Sequence, residues 1–253
     1  MKQIDTYITE KLKLNKDSTN YKYYPEDKDE LAEIIDKLFK ERGRDANLND
    51  IDTSKITDMS YLFEEKLCRN IDISGWNVSN VINMNAMFSG CLMFNCDLSS
   101  WDVSKVKDMS WMFYECKNFN SDLSKWNVGN VTFMKKMFDG CEKFNSDLSK
   151  WDVSNVKQME SMFAYCVKFN SDLSKWDVGK VVNMFEMFRG CKKFNSDLSD
   201  WNVSNAVMMQ EMFYNCINFD CDLSKWDVSN VTNMQVMFYG CKSLTKKPDW
   251  YQE

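Results

Sequence analysis

The chain has 253 residues, of which 44% are hydrophobic and 28% charged, a composition typical of a folded protein. Its net charge of −6 argues against a nucleic acid backbone or an anionic membrane surface as the main partner, because both require clustered lysine and arginine. The sequence has no apolar run of about 18 residues or more, so we predict no membrane insertion. Proteins, glycans and small ligands remain as candidate partners.

Residues 1–24 show no clear period and are interpreted as an irregular lead-in. Within them, the segment from Met1 to Asn20 is polar and lacks the apolar core of a secretory signal. This segment favours a cytoplasmic location.

A capping helix is predicted within residues 25–44. Pro25 suits the first turn of a helix, and the acidic residues after it suit the positive end of the helix dipole. The helix should run from Pro25 to Glu41 or Arg42 and end before Gly43. Its apolar face would carry Leu31, Ile34, Ile35 and Leu38. We expect this helix to shield the N-terminal end of the repeats that follow.

A 25-residue repeat occupies residues 45–244, and its tryptophans mark the period: Trp76, Trp101, Trp126, Trp151, Trp176, Trp201 and Trp226. A fixed period of this size predicts a stack in which each unit buries its apolar face against its neighbours. The first unit is degenerate, with Leu48 and Ile51 in the leucine and tryptophan slots. Residues 245–253 are predicted to form a C-terminal cap, with Pro248 in the leucine slot and Tyr251 in the tryptophan slot.

The apolar spacing inside each unit predicts a short helix. Counted from Val81, the residues Met84, Met87, Phe88 and Cys91 have offsets of 3, 6, 7 and 10, which place them on one helix face. This set recurs in the later units.

Two alternating segments, 97–99 and 101–103 in one unit, predict strands of three or four residues. With the helix, they predict an α/β repeat solenoid of the leucine-rich-repeat type, a right-handed stack of short strands and short helices with caps at both ends. Strands stack about 4.8 Å apart, whereas helices pack about 8–10 Å apart. We therefore expect a curved stack with its strands on the inner side.

Seven of the ten cysteines share one repeat slot: Cys91, Cys116, Cys141, Cys166, Cys191, Cys216 and Cys241. An odd-numbered ladder cannot pair fully within itself, and helix packing would separate its members beyond the reach of a disulfide. We predict that they are small buried apolar residues. Cys68, Cys96 and Cys221 lie outside this ladder and are predicted to be free thiols.

An aspartate also recurs in one slot: Asp72, Asp97, Asp122, Asp147, Asp172, Asp197 and Asp222. Stacked carboxylates repel one another unless each is held by N–H groups or a cation. The favoured interpretation is an Asx turn, in which Asp97, Asn95 and their equivalents bond main chain at a corner of the unit. Calcium is the alternative, although the unit lacks the dense Gly-x-Asp pattern of calcium-binding repeats.

The chain contains no histidine, which removes the commonest general base and the commonest metal ligand. It also lacks the G-x-x-x-x-G-K, G-x-G-x-x-G and G-x-S-x-G motifs. We therefore predict a non-enzymatic protein with no catalytic residues, no metal site and no cofactor.

Selectivity must come from positions that differ between units, because the ladders are uniform. The partner-binding candidates are the large aromatic residues at outer positions of the predicted helices: Trp111, Tyr114, Phe133, Tyr165, Phe185, Tyr214 and Tyr239. Exposed aromatic patches often mark contact sites. The alternative is that several of them tuck between neighbouring helices. A lysine ladder on a second face is interpreted as solubilising: Lys125, Lys150, Lys175 and Lys225.

The pattern of one whole unit carries a family resemblance. It comprises Asn95, Asp97-Leu98-Ser99, Trp101-Asp102-Val103-Ser104, Val106, Met109, Met112-Phe113 and Cys116. This pattern, like the lead-in at residues 48–59, resembles the BspA-like leucine-rich-repeat proteins of host-associated bacteria and some large viruses. The resemblance covers about Pro25 to Tyr251. It implies a leucine-rich-repeat fold, display on a cell surface or secretion, and adhesion to host proteins.

The predicted function is a non-enzymatic protein–protein interaction or adhesion module that presents an extended repeat surface to a protein partner. The resemblance implies a host protein as that partner. A self-assembling structural component is the alternative, because weakly capped repeat stacks tend to associate. A calcium-dependent adhesin is the third hypothesis. We expect a monomer or weak self-association.

Overall fold

The computed structural model of the protein describes residues 21–252. The predicted lead-in, residues 1–24, therefore lies almost wholly outside the described chain. Within that range, Tyr23 forms an isolated parallel bridge with Ile51, which ties the start of the described chain to the first repeat unit.

Helix α1 comprises Lys28–Arg42 and ends where the sequence predicts. It begins three residues after Pro25, because the side chain of Asp27 is the N-cap and accepts hydrogen bonds from the backbone N–H groups of Asp29 and Glu30. At the other end, the N–H of Gly43 donates to the carbonyl of Phe39.

The buried face of α1 belongs to the same core as the repeats and carries Leu31, Ile35, Leu38 and Phe39. Ile34, predicted on this face, is only partly buried. The Phe39 ring lies 6.2 Å from the ring of Phe63 in the first unit. Helix α1 thus packs against the first unit of the repeats.

The predicted α/β repeat solenoid is wrong. Within residues 21–252, α1 is the only helix, and the repeat units contain neither a helix nor a β-strand. Their β-type pairing is limited to isolated parallel bridges: Asn47–Asp72, Asp58–Asn83, Asn83–Asp108, Asp108–Phe133, Phe133–Gln158, Gln158–Asn183, Asn183–Met208 and Met208–Asn233. The units stack with a 25-residue period, but the argument for curvature, which relied on helix packing, loses its basis.

Each unit is a coil of consecutive turns. In residues 95–119 we call 95–105 the Asp-Trp half and 106–119 the Met-Phe half, and we use these names for the equivalent residues of every coil. The N–H groups of Met112 and Cys116 donate to the carbonyls of Met109 and Phe113, three residues earlier, and close β-turns. Such turns bring every third residue to one side. They produce the apolar offsets that the sequence analysis assigned to a helix.

Left-handed residues interrupt any helix in the Met-Phe half. Trp111 has a φ of 62°, and its equivalents in the other coils are left-handed too: Tyr61, Ala86, Lys136, Ser161, Glu186, Glu211 and Val236. This conformation costs an L-residue about 1–2 kcal/mol. Packing and hydrogen bonds between coils must offset that cost.

A second left-handed position alternates between glycine and a larger residue. The glycines are Gly90, Gly140, Gly190 and Gly240, and the coils between them carry Glu65, Glu115, Tyr165 and Asn215. A Cβ added to Gly140 would lie 2.8 Å from the Glu115 side chain and 3.2 Å from its Cα. Each larger residue thus fills the space over the glycine of the next coil, and the structural unit comprises two coils.

Stacked phenylalanines form the core. The Phe113 ring lies 5.6 Å from the equivalent rings of its two neighbouring coils, Phe88 and Phe138. Within its own coil it stacks at 3.9 Å on Phe119, which belongs to a second ladder. These rings are fully buried, as predicted. Burial of each such side chain contributes about 1.5–3 kcal/mol.

Two side-chain ladders bond the backbone of the preceding coil. Trp126 Nε1–H donates to the carbonyl of Leu98 at 3.0 Å, and Cys116 Sγ–H donates to the carbonyl of Phe88 at 3.0 Å. Burial raises the pKa of the Cys116 thiol well above its usual value. The ladder cysteines are free and, except for Cys241, buried; Cys68, Cys96 and Cys221 are free and buried as well. For the ladder cysteines burial was predicted but the hydrogen bonds were not, and for Cys68, Cys96 and Cys221 only the free thiol was predicted.

The C-terminal cap differs from the prediction by one residue. Trp250, not Tyr251, continues the tryptophan ladder. Its ring stacks at 6.4 Å on Trp226, and its Nε1–H donates to the carbonyl of Leu223 at 3.0 Å. Pro248 is buried in the leucine slot, as expected. The backbone keeps the repeat spacing, while the side chain of the preceding residue takes the ladder position.

Candidate interaction surface

Four positions of the Met-Phe half outside the buried ladders differ from coil to coil. In residues 106–119 they are Ser110, which is buried, and the half-buried Trp111, Tyr114 and Glu115. We call these positions, with their equivalents in every coil, the variable face. All of the predicted aromatic candidates except Phe133 lie on this face. Because the ladders beneath it are uniform, the variable face is where one coil can be told from another.

The first aromatic cluster consists of Trp111, Tyr114 and Lys136. The two rings meet edge-on with 5.1 Å between their centroids. Lys136 Nζ lies 4.8 Å from the Trp111 centroid and 5.6 Å from the Tyr114 centroid. Such cation–π contacts contribute about 0.5–1 kcal/mol at exposed sites. Both rings are half-buried, so the contact with the next coil fixes them while one edge stays solvated.

The second aromatic cluster spans four coils and consists of Tyr165, Arg189, Tyr214 and Tyr239. The Arg189 guanidinium lies 4.6 Å from the Tyr214 ring centroid, and its Nε donates to the Tyr165 hydroxyl at 2.7 Å. Tyr239 stacks on Tyr214 at 5.1 Å. Tyr165 is 46% exposed and Tyr239 is 61% exposed. The cluster therefore presents large aromatic surfaces in a fixed arrangement.

Acidic side chains hold the cation of the second cluster and flank it. Arg189 Nη1 lies 2.9 Å from a Glu186 carboxylate oxygen, and Arg189 also pairs with Glu211. Nearby, burial raises the pKa of Asp139 to about 6, although the ammonium of Lys136 acts in the opposite direction. The variable face thus combines fixed charges with aromatic rings and includes one carboxyl that titrates near neutrality.

Two predicted candidates lie apart from the clusters. Phe133 forms bridges with Asp108 and Gln158, and its side chain is 38% exposed beside the variable face. Phe185 is on the variable face but is half-buried. Exposure as a contact surface and packing between neighbouring coils were the two alternatives for these aromatic residues. The exposed Tyr165 and Tyr239 fit the first, and the half-buried Phe185 fits the second.

The aspartate ladder forms Asx turns, as favoured by the sequence. Asp97 Oδ1 accepts the N–H of Ser99 at 2.9 Å, and the same bond recurs in later coils. This N–H holds the pKa of the Asp97 carboxyl below its usual range. Asn95 Oδ1 accepts the N–H of Asn120 at 2.7 Å. Among residues 21–252, no group of three or more His, Cys, Asp or Glu side chains is placed to hold a metal ion.

A polar groove runs beside the aspartate ladder. Between two coils it has a volume of about 400 Å³, and its walls include Asn170, Asp172, Lys175, Asn195 and Asp197. Lys175 lines this groove, Lys225 lines the adjoining one, and all four members of the lysine ladder are exposed. Lys175 and Lys225 therefore lie beside aspartates of the ladder.

An apolar groove next to the bridge positions was not predicted. Val182, Val207 and Thr232 line it, with a volume of about 640 Å³, and Val182 is 47% exposed. The signal was a valine in the same slot of two successive units. The helix prediction obscured this signal, because it placed the slot on a polar helix face.

The fold and its surface define a class of protein: a tandem-repeat protein whose coils, throughout residues 45–244, lack helices and present a variable face over a uniform aromatic core. The chain belongs to the family described as Mycoplasma protein of unknown function, DUF285, whose sequence profile matches residues 33–150 and 132–251. No curated protein and no solved structure matches the chain. The resemblance to BspA-like proteins stays a prediction. No helix in the described part of the chain is long and apolar enough to cross a membrane.

Proposed function

We propose that the protein is a non-enzymatic interaction module whose variable face binds a protein partner, in the manner of an adhesin. The main support is the second aromatic cluster, where Tyr165 and Tyr239 are exposed around an arginine that two carboxylates hold in place. Tyrosine and arginine are enriched among the residues that dominate binding energy at protein interfaces.

The rigidity of the scaffold favours this use. Arg189 contacts the rings of two neighbouring coils, so its side chain is ordered before any partner arrives. An ordered side chain loses little conformational entropy on binding, which saves about 0.5–1.5 kcal/mol for each such residue. Tyrosine adds a large contact area with only two rotatable side-chain bonds. The resemblance to BspA-like proteins adds a host protein as the kind of partner.

Quantitative capture with matched variants tests the proposal. The full chain, a Tyr165→Ala/Tyr239→Ala variant and a Lys125→Ala/Lys150→Ala variant are each immobilised and exposed to solubilised host-cell surface proteins. The affinity of the tyrosine variant for a specific partner should fall at least about 30-fold, which is equivalent to about 2 kcal/mol, the contribution of one dominant residue. The lysine variant, which changes a different face, should retain it. Identical captures by all three baits, or none by any, would contradict the proposal.

The other two hypotheses stay predictions. A calcium-dependent adhesin would require thermal melting to shift with calcium and to return with a chelator. A self-assembling structural component would require growth in mass with concentration in the absence of a partner.

A further inference from the structure

Four of the backbone hydrogen bonds at each step between Met-Phe halves point in one direction. Fewer bonds run the opposite way, such as the one from the Thr132 N–H to the Lys107 carbonyl of the preceding coil at 2.9 Å. Within one step, four N–H groups of a coil donate to four carbonyls of the next coil at 2.7–3.0 Å: Met109 to Phe133, Trp111 to Lys135, Phe113 to Met137 and Glu115 to Asp139. The same set recurs at the steps that begin with Met59, Met84, Met134, Met159, Met184 and Met209. A β-ladder would instead alternate donors and acceptors along each edge.

This arrangement gives the stack a polarity. Each N–H row faces the C-terminal end, and each carbonyl row faces the N-terminal end. Aligned peptide dipoles of about 3.5 D each add up, as they do along a helix. The C-terminal end therefore carries a row of donors with partial positive charge, and the N-terminal end carries a row of acceptors with partial negative charge.

The donor row at the C-terminal end has no partner in the described part of the chain. The N–H groups of Met234, Val236, Phe238 and Gly240 donate to no other residue within 21–252. The side chains beside them are uncovered as well: Met234 is partly exposed, whereas its equivalent Met209 is fully buried. The chain after residue 244 packs on the Asp-Trp half, where Trp250 stacks on Trp226, and the Tyr251 ring covers Phe238 edge-on at 5.0 Å. The part of the Met-Phe half that remains open in the last coil is its edge with Met234, Val236 and Gly240.

The acceptor row at the N-terminal end is covered by helix α1. The carbonyls of Asp58, Ser60, Leu62 and Glu64 accept no backbone N–H from the described residues. Helix α1 lies against this coil, with the Phe39 ring 6.2 Å from Phe63 and Lys28 Nζ 3.2 Å from the Ser60 hydroxyl. A cation beside the acceptor row suits its partial negative charge. Helix α1 therefore occupies the place that a preceding coil would take.

Two open C-terminal ends cannot satisfy one another, because each brings a row of four N–H donors and no matching row of acceptors. An occupant must bring acceptors at every second residue, and the first coil of a second copy carries such a row in the geometry already used between coils of one chain. We propose that the C-terminal end of one copy docks on the first coil of another, and that α1 must move aside for this to occur. The contact is head-to-tail, so it can continue along a filament. It goes beyond the proposed binding at the variable face and does not depend on it.

Light scattering on full-length variants tests whether α1 prevents docking between copies. Leu38→Glu places a charge on the fully buried face of α1, and Phe39→Ala loosens α1 without a charge. At concentrations where the wild-type chain has monomer mass, both variants should show mass that rises with concentration by multiples of the monomer. If the charged variant fails to fold, Phe39→Ala alone tests the proposal.

A second substitution distinguishes specific docking from nonspecific association. Met234→Lys lies at the open end and should return both α1 variants to monomer mass, because a bulky cation blocks the donor row. Hydrogen exchange should also slow at the amides of Met234, Val236 and Phe238 when mass grows. Growth that persists with Met234→Lys, or that leaves these amides unprotected, overturns the proposal. The proposal is also overturned if the α1 variants stay monomeric although fast hydrogen exchange at the α1 amides shows that α1 has detached.

Discussion

Replacing Phe163 by alanine tests the aromatic ladder at the middle of the stack. The ring is fully buried and lies 5.7 Å from Phe138 and 5.7 Å from Phe188 in the adjacent coils. It also stacks at 4.2 Å on Phe169 in its own coil. Alanine removes all of these ring contacts at once and leaves a cavity between coils.

The expected loss follows from the chemistry of that cavity. Phenylalanine-to-alanine changes in protein cores cost about 3–5 kcal/mol, and aromatic pairs contribute about 0.5–1.5 kcal/mol beyond burial. The cavity cannot close easily, because the Phe163 N–H is bonded to the Met187 carbonyl at 2.9 Å and fixes the spacing of the coils. We therefore expect a loss of about 4 kcal/mol in the free energy of unfolding.

Urea unfolding followed by tryptophan fluorescence measures this loss. Phe133→Ala is the matched control, since it deletes the same ring from a position that is 38% exposed. It should cost about 1 kcal/mol or less, because far less apolar area leaves contact. Equal losses in the two variants, or an unchanged unfolding free energy for Phe163→Ala, would refute the conclusion that the buried Phe163 ring stabilises the fold.

Three further predictions concern a ladder, a glycine and a carboxyl. Trp126→Phe removes the indole N–H from the buried Leu98 carbonyl, which keeps the Trp101 N–H at 3.1 Å, and should cost about 0.5–1.5 kcal/mol in urea unfolding; a neutral result would contradict the role of the indole N–H. Gly140→Ala adds a Cβ into the Glu115 side chain at a left-handed position and should lower the free energy of unfolding by more than about 1 kcal/mol. In the control Gly43→Ala the added Cβ meets no atom within 4 Å, so the loss should be smaller and come only from the left-handed φ. The Asp139 carboxyl has a pKa of about 6 in the folded chain, above its ordinary value of 3.8. The folded state therefore binds more protons between these values, stability should rise as pH falls from about 7 to 5, and Asp139→Asn should flatten that rise in thermal melts.

The buried ladders could be predicted from the sequence because they depend only on which residues recur. Phe88, Phe113 and their equivalents are apolar in every regular coil, and any stack with that period must bury them. The secondary structure could not be predicted in the same way. Consecutive β-turns and a helix both place every third residue on one side, so apolar spacing does not separate them. The left-handed conformation of a bulky residue such as Trp111 has no local signature.

The candidate surface was predicted residue by residue but not as clusters. Tyr165 and Tyr214 were singled out because they are large and vary between coils. Arg189, which joins them, was not considered, although it lies 24 residues after the first and 25 before the second. Reading residues one period apart as neighbours would have revealed this cluster. The exposure of each ring depends on its neighbours in the adjacent coils and could not be obtained from a single unit.

The alternation of glycine with larger residues limits how such a chain can change in length. Deleting the single coil 120–144 would bring Glu115 against Tyr165, and two side chains would then compete for a space that accommodates one. Deleting two coils would restore a larger residue facing a glycine. Lengthening or shortening by tandem duplication should therefore be tolerated in steps of 50 residues and selected against in steps of 25. The repeat regions of natural members of this family should therefore differ in length by even numbers of coils.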